Sequence, residues 1–327
     1  MRHALLRVLI YCPALLALPL TLGAASGVMA AQVRSAAGVQ DTSQGAALPQ
    51  VLTTSRLRQS KAQTPGTVTI LEGELLRDLG VLNLWDAFRL VPGMTVGYVG
   101  SNDPVVSYHG TVAVQQRRLQ VLVDGRSYYN ASLADMDWTN LPVPIDAIDR
   151  IEVTRGPNAA SYGANSFLAV INIITRSPSD THGVALRGTE GLRGHDGFGH
   201  YYGSVGSRTG PLDWRLSINQ RRSDGFDFRY RRDESGGRTE QIRNSRDGYN
   251  TVSLNYSGEL ALTATDWLAL ETGYHELDEK ADPAEYQGFN PLTNPDITGE
   301  DWHGSITWHH EPSADRFFHL QVYHQTR

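Results

Sequence analysis

The sequence after Pro178 most constrains the fold, because its segments alternate apolar with polar or small residues. In residues 214–219 (WRLSIN), Trp, Leu and Ile fall on one face of a strand, and Arg, Ser and Asn fall on the other. Residues 252–256 (VSLNY) and 320–324 (LQVYH) repeat this pattern. Strands with one apolar, aromatic face and one polar face are typical of a transmembrane β-barrel. We therefore predict about seven antiparallel transmembrane strands in residues 183–327.

The connectors between these segments also alternate, in length. Residues 209–211 (TGP) and 259–265 (ELALTAT) are short, whereas residues 225–246 and 278–300 are long and polar. Long loops on one side and tight turns on the other are typical of an outer-membrane barrel. A soluble β-sandwich alternates too and is the alternative. The thin apolar face, which repeatedly includes Trp and Tyr, favours the barrel.

The N-terminus indicates export. Residues 1–31 have a basic start, an apolar stretch from Val8 to Leu22 and small residues before the predicted cleavage site at Ala30 or Ala31, which is the pattern of a secretory signal peptide. An uncleaved membrane anchor is the alternative, although two prolines interrupt the stretch. The only cysteine is Cys12, so the mature chain offers neither disulfides nor thiolate metal sites.

Residues 32–60 are predicted to form a flexible arm, since they are small and polar up to residue 49. Within the arm, residues 50–56 (QVLTTSR) are prone to form a β-strand. Such a segment can pair with the sheet edge of a partner, because its backbone N–H and C=O groups are free to bond. It can equally join a sheet of its own chain.

Residues 61–178 mix short strand and helix patterns at the size of one α+β domain. Residues 83–91 (NLWDAFRLV) read as a helix capped by Asn83, and residues 118–126 (RLQVLVDGR) as a strand before a turn. Residues 151–176 (IEVTRGPNAASYGANSFLAVINIITR) read as two strands around a glycine-punctuated loop. We predict a small mixed sheet with short helices.

Several of these segments resemble, in order, the motifs of one family. QVLTTSR resembles a TonB box, TPGTVTIL and FRLVPGMTV resemble the first plug elements, and VLVDGR, DRIEVTRGPNAASYG and VINIIT resemble the later ones. From residue 50 to about residue 179 the chain thus resembles the N-terminal part of a TonB-dependent outer-membrane receptor. This resemblance implies a plug domain inside a 22-stranded barrel, in the outer membrane of a Gram-negative bacterium. Since residues 183–327 hold about seven strands, we expect an incomplete barrel in a truncated chain that does not itself transport.

The resemblance also implies a function. A TonB-dependent receptor takes up a scarce small molecule such as a ferric siderophore, with energy delivered by the periplasmic protein TonB, and performs no covalent chemistry. Cobalamin or another nutrient is an alternative ligand, and a passive outer-membrane channel or binding protein is an alternative class. The resemblance places TonB pairing at Gln50, Val51, Leu52, Thr53 and Thr54.

Other site residues follow from the same resemblance. Arg155, His109 and Glu152 are expected to contact the barrel wall from the plug, with His109 standing where many relatives have arginine. Relatives also often have two glycines where this chain has Leu168 and Ala169. The aromatic candidates for ligand contact at plug loops, which are equally candidates for packing, are Tyr98, Tyr128, Tyr129, Trp138 and Tyr162.

The sequence does not favour an enzyme or a nucleic-acid binder. His275-Glu276 lacks the second histidine of the zinc-protease helix motif, and neither a G-x-S-x-G elbow nor a phosphate-binding loop is present. His309 and His310 are neighbours on a predicted strand and point to opposite faces, so they are not expected to share a metal. A net charge of −6 gives no broad basic surface. We expect no cofactor and no metal.

Overall fold

A computed structural model describes residues 50–51, 59–60, 67–100, 102–110, 116, 118–129, 136–157, 159–163, 165–193, 196–226, 228–232, 238–243, 247–280, 296–313 and 316–326. All of them belong to one compact unit, Leu48–Arg327. The predicted signal peptide and residues 32–49 of the predicted arm lie outside the described residues. We call residues 67–180 the plug and the seven-stranded sheet that follows the wall.

The plug is built around a five-stranded sheet in the order β3-β8-β9-β6-β7. Strands β6 and β9 pair in parallel and the other neighbours are antiparallel, so the sheet is mixed as predicted. The first strands of the chain are β1 (Gln50–Val51), β2 (Gln59–Ser60), β3 (Thr67–Glu72), β4 (Met94–Gly100), β5 (Asp103–Tyr108), β6 (Leu119–Val123), β7 (Arg126–Ser127), β8 (Ile148–Arg155) and β9 (Ala169–Thr175).

Strand β9 is buried along its first five residues, as its apolar, β-branched sequence requires. The glycine-punctuated loop before it contains the helix α2 (Ala159–Tyr162). The two strands predicted around this loop are therefore confirmed as β8 and β9, which pair with each other.

Short helices pack on this sheet. They are α1 (Gly73–Asp78) and three 3₁₀ helices, Leu84–Leu90, Ile145–Ala147 and Pro178–Asp180. The predicted helix at residues 83–91 is thus confirmed in place, with Trp85 and Phe88 in the core. The predicted cap differs: the side chain of Asn83 makes no capping bond to the backbone, because its Oδ1 accepts from the Tyr249 hydroxyl at 3.5 Å, while its Nδ2 donates to the Asp86 carboxylate.

The wall is an antiparallel sheet in the order β10-β11-β12-β15-β16-β17-β18. Seven of the described strands belong to it. In the described residues β10 and β18 are its edges, and the sheet does not close on itself. The remaining strands of the chain are β10 (Gly183–Arg193), β11 (Asp196–Thr209), β12 (Leu212–Ser223), β13 (Phe228–Arg232), β14 (Arg238–Arg243), β15 (Tyr249–Ala261), β16 (Asp266–Glu279), β17 (Ile297–Ser313) and β18 (Arg316–Thr326).

The two faces of the wall differ as its alternation predicts. On β12, Leu216 and Ile218 are 41% and 52% exposed, whereas Arg215, Ser217 and Asn219 are 3–5% exposed. The exposed face is apolar and the buried face, which lies toward the plug, is polar. This is the reverse of a soluble sandwich, whose buried face is apolar.

The connectors define two ends of the wall. The two long connectors, between β12 and β15 and between β16 and β17, lie at one end, which we call the long-loop end. The turns after β11, β15 and β17 lie at the other end, the short-turn end. β13 and β14 form a separate hairpin within the first long connector. None of the helices in the described part of the chain is long and apolar enough to cross a membrane.

Candidate functional site: the plug–wall interface

The polar face of the wall meets the plug through buried ion pairs and hydrogen bonds. The more enclosed of two described ion pairs between plug and wall joins the turn after β6 to strand β16: Arg126 Nη2 lies 3.4 Å from Glu271 Oε2, and their side chains are 4% and 21% exposed. An ion pair so shielded from water is costly to break from one side only, because the remaining charge loses its partner. We call this the Arg126–Glu271 pair.

Asp124 stands beside this pair on the same turn. Its φ is 47°, a left-handed conformation that Asp tolerates better than most residues, and Gly125 follows at φ 81°. Its carboxylate accepts hydrogen bonds from the Thr175 backbone N–H (2.9 Å) and hydroxyl (3.1 Å), which ties the turn to the end of β9. Burial raises the pKa of the Asp124 carboxyl above its ordinary value, while the bonds from Thr175 and the charge of Arg126 oppose the rise.

A second buried arginine reaches from the wall into the plug. Arg221, on β12, is 4% exposed, and its Nη2 donates to the backbone carbonyls of Thr139 and Leu141. Its guanidinium also lies 5.9 Å from the ring centroid of Trp85, in cation–π range. The wall thus holds residues 139–141 of the plug by main-chain atoms, a contact that does not depend on the plug side chains there.

Further polar contacts occur at both ends of the interface. At the long-loop end, Asn102 Nδ2 donates to the Lys280 carbonyl at 3.1 Å, and Asn140 Nδ2 lies 3.4 Å from Asp301 Oδ2. At the short-turn end, the Ser177 hydroxyl bonds to the Glu259 carboxylate at 2.9 Å. Arg187 on β10 pairs with Asp146 of the plug at 3.1 Å. The described interface is therefore polar along its length.

The predicted TonB-pairing segment is described only in part. Gln50 and Val51 form β1, which pairs antiparallel with β2, so that Gln50 faces Ser60 and Val51 faces Gln59. Leu52, Thr53 and Thr54 lie outside the described residues. The described part of the segment thus occupies an isolated two-stranded ladder that is separate from the plug sheet.

Arg155, His109 and Glu152 have their described contacts within the plug. Arg155 Nη1 donates to the Pro92 carbonyl at 3.0 Å. Glu152 is fully buried and accepts from Arg150 Nε at 3.0 Å. His109 is exposed at φ 55°, with its ring 4.0 Å from that of Tyr108. Their contact with a barrel wall stays a prediction.

The aromatic candidates divide into two groups. Tyr128 and Trp138 are 2% and 1% exposed in the plug core, so they act as packing groups in this structure. Tyr129 and Tyr162 are half-buried. Tyr98 lies near the long-loop end, where its ring packs edge-on against Phe226 of the first long connector at 5.5 Å.

Tyr98 is also held by hydrogen bonds. Its hydroxyl accepts from Trp85 Nε1 at 2.9 Å and donates to Asp86 Oδ1 at 3.0 Å. Burial and the nearby Asp86 carboxylate raise the pKa of Tyr98. The structure thus places Tyr98 between the plug and Phe226 of the first long connector.

Sequence reasoning missed the residues that hold the interface together. Arg126, Arg221 and Glu271 are charged side chains at inward positions or next to a turn, and inward charge on a transmembrane strand was the available signal. No group of three or more His, Cys, Asp or Glu side chains is placed to hold a metal in the described part of the chain. His309 and His310 do point to opposite faces: His309 stacks on Trp267, whereas His310 bonds to Asp266 beside Trp308.

A mixed-sheet domain docked on the polar face of an antiparallel wall defines a class, that of plugged membrane receptors. Residues 60–170 match the family model of the TonB-dependent receptor plug domain. A vitamin B12 transporter, BtuB, of Photobacterium profundum is 27% identical over 231 residues, which cover 69% of this chain and 35% of that protein. An iron-regulated outer membrane virulence protein of Vibrio cholerae is 29% identical over 51% of this chain and 26% of its own length.

Solved structures share the fold. The siderophore receptor PirA of Acinetobacter baumannii aligns at a TM-score of 0.59 and 19% identity, over 81% of this chain and 40% of that one. The ferripyoverdine receptor of Pseudomonas aeruginosa aligns at 0.60 and 16%, over 85% and 36%. In its plug residues and in its fold, the chain is thus similar to the TonB-dependent receptors. It spans about a third of the length of the vitamin B12 transporter that it matches.

Proposed function

We propose that this chain is the N-terminal part of an outer-membrane receptor for energised uptake of a small molecule. The observation that supports the proposal best is the plug held by buried polar contacts, chiefly Arg126–Glu271 and Arg221, on the inner face of a membrane-type sheet. A plug in that place blocks the lumen. Transport therefore requires work on the plug, and a passive channel has no use for such a block.

The work would be delivered through residues 50–54. In this proposal the segment leaves its ladder with β2 and adds as a strand to TonB, a mode of recognition that depends on main-chain hydrogen bonds. Pulling on it transmits force to β3, at the edge of the plug sheet. The long-loop end would face the outside, where a ligand meets Tyr98 and the long connectors. The signal peptide of residues 1–31 would direct export.

The ligand class is a ferric siderophore or a cobalamin. The solved neighbours include a siderophore receptor and a ferripyoverdine receptor, and the relatives include vitamin B12 transporters. An uptake screen in the bacterium that encodes this chain, with one radiolabelled ferric chelate and labelled cyanocobalamin, separates the two. Loss of one uptake activity when the gene is deleted identifies the class.

The test of energised transport is Leu52→Pro, introduced at the native locus so that the gene product is tested as the cell makes it. Proline removes a backbone donor from the predicted TonB-pairing strand. We expect uptake to fall to the level of a strain lacking TonB, while ligand binding to isolated outer membranes stays within twofold of wild type.

The matched control is Ser43→Pro, which places proline in the same arm but outside the predicted segment, and it should leave uptake unchanged. Normal uptake by the Leu52→Pro strain would defeat the proposal and favour the passive channel. Equal loss of uptake in both proline strains would also contradict it, because the effect would then not be specific to residues 50–54.

A further inference from the structure

A cavity of about 420 Å³ lies between the plug and the wall toward the short-turn end. On the plug side it is lined by the Asp124–Gly125 turn and by residues 174–178, and on the wall side by strands β15 to β18. The carboxylates of Asp124, Glu259 and Glu271 line it, against the guanidinium groups of Arg150 and Arg176. Because Glu271 is paired with Arg126, the other lining charges are two carboxylates and two guanidinium groups, which balance.

The wall side of this cavity carries a row of rings across three strands. Trp267 on β16 is the direct partner of His309 on β17, which is the direct partner of His319 on β18. Trp267 and His309 stack with ring centroids 4.7 Å apart and planes at 5°. His309 and His319 have centroids 6.3 Å apart and planes at 33°. Two imidazoles thus stand side by side on the inner face.

From this row we propose that His309 and His319 form a two-histidine site for a divalent transition-metal ion that prefers imidazole. Copper or zinc bonds imidazole nitrogen at about 2.0–2.1 Å, so two rings on one ion can have centres up to about 6.4 Å apart. The observed 6.3 Å is within that reach. Side-chain rotation brings the rings closer for a bent geometry. The side chains of direct cross-strand partners on one face of a sheet are near enough to bind the same ion.

The inner and the outer rows of rings differ in what they face. The outer face has its own aromatic row at the same level, Trp308, His310 and Phe318, and there His310 bonds to the Asp266 carboxylate. The inner pair lines a cavity large enough for an ion and its water. Because the described pair supplies two ligands, the other coordination positions are open to water or to a donor atom of a passing molecule.

The test uses the full chain in detergent, without a histidine tag and with Cys12→Ser to remove the thiol. The probe is Cu²⁺, because it binds nitrogen sites most tightly among the divalent first-row transition metals. We expect saturable binding of Cu²⁺ with an electron paramagnetic resonance spectrum showing two nitrogen ligands. His309→Gln and His319→Gln should each raise the Kd at least tenfold and reduce the signature to one nitrogen. Bound Cu²⁺ should quench tryptophan fluorescence, and Trp267→Phe should remove most of that quenching.

The controls are His310→Gln and His324→Gln, which change histidines on the same two strands that point to the outer face. Both should bind Cu²⁺ within twofold of the unsubstituted chain. Binding weakened as much by His310→Gln as by His319→Gln would overturn the proposal, as would a chain that shows no two-nitrogen spectrum. The result does not depend on TonB or on uptake, so its failure leaves the proposed function untouched.

Discussion

Replacing Arg126 by methionine should loosen the plug from the wall. Arg126 is 3% exposed, and its Nη2 is 3.4 Å from the Glu271 carboxylate. Methionine keeps most of the apolar stem but removes the charge, so Glu271 is left facing Asp124 in an enclosed site without its partner. A buried pair broken from one side costs about 3–5 kcal/mol.

The lower end of that range applies. Nε and Nη1 of Arg126 find no hydrogen-bond partner among the described residues, so the native state already bears part of the cost of burying the guanidinium. We therefore expect about 3 kcal/mol of lost plug stability. Replacing both partners, as in Arg126→Met with Glu271→Gln, should recover most of it, because neither charge is then left alone.

A single label can follow the plug. Glu74→Cys, on the exposed side of α1, accepts a fluorophore in a Cys12→Ser background, and urea is titrated against the chain in detergent. With an m-value of about 1–3 kcal/mol/M, a loss of about 3 kcal/mol lowers the midpoint by roughly 1–3 M. A shift below about 0.5 M for Arg126→Met, or a double variant as unstable as the sum of the single variants, would refute the reasoning.

Two further predictions concern the lipid face and the Asp124 turn. Ile218→Lys puts a charge on the exposed face of β12 and should cost about 2–4 kcal/mol of stability near the membrane midplane, whereas Ile218→Leu should be neutral. The loss should be seen as a smaller amount of folded, heat-modifiable receptor in outer membranes. Equal amounts of folded protein for both variants would place Ile218 away from lipid. Because the pKa of Asp124 is raised in the folded plug, the folded chain holds the carboxyl proton more tightly than the unfolded chain does. The contribution of Asp124 to stability is therefore full below the ordinary pKa of 3.8 and is lost as pH rises through the raised pKa. Asp124→Asn should therefore remove this fall of the urea midpoint with rising pH. A variant whose midpoint falls with pH as steeply as that of the unsubstituted chain would contradict the prediction.

The wall was predictable because its constraint is local. Each transmembrane strand must present apolar residues to lipid at every second position, so residues 214–219 reveal both the strand and its faces. The strands of the plug around residues 151–176 were predictable for a similar reason, since the apolar run of β9 is buried along most of its length. The fold class therefore followed from the residues, and the order of the plug motifs strengthened it.

The interface was not predictable from the same patterns. Arg126 and Glu271 meet across two domains, and nothing near either residue in sequence indicates its partner. The Asn83 cap failed for a reason distant in sequence, because Oδ1, the atom that would cap the helix, accepts from the Tyr249 hydroxyl of the wall. Tyr128 and Trp138 show the remaining difficulty: an aromatic residue near a loop packs in a core as readily as it binds a ligand, and only burial separates the two.

The most direct test of TonB coupling is a disulfide cross-link in cells. Thr54→Cys, introduced at the native locus in a chain whose predicted mature form has no cysteine, is combined with single cysteines along the edge strand of the TonB C-terminal domain. Our account predicts a cross-linked product at matching register positions, more abundant when ligand is present and absent for Ser43→Cys. The account would be contradicted if cysteines at positions 50 to 54 all failed to give a cross-linked product in cells that still take up the ligand.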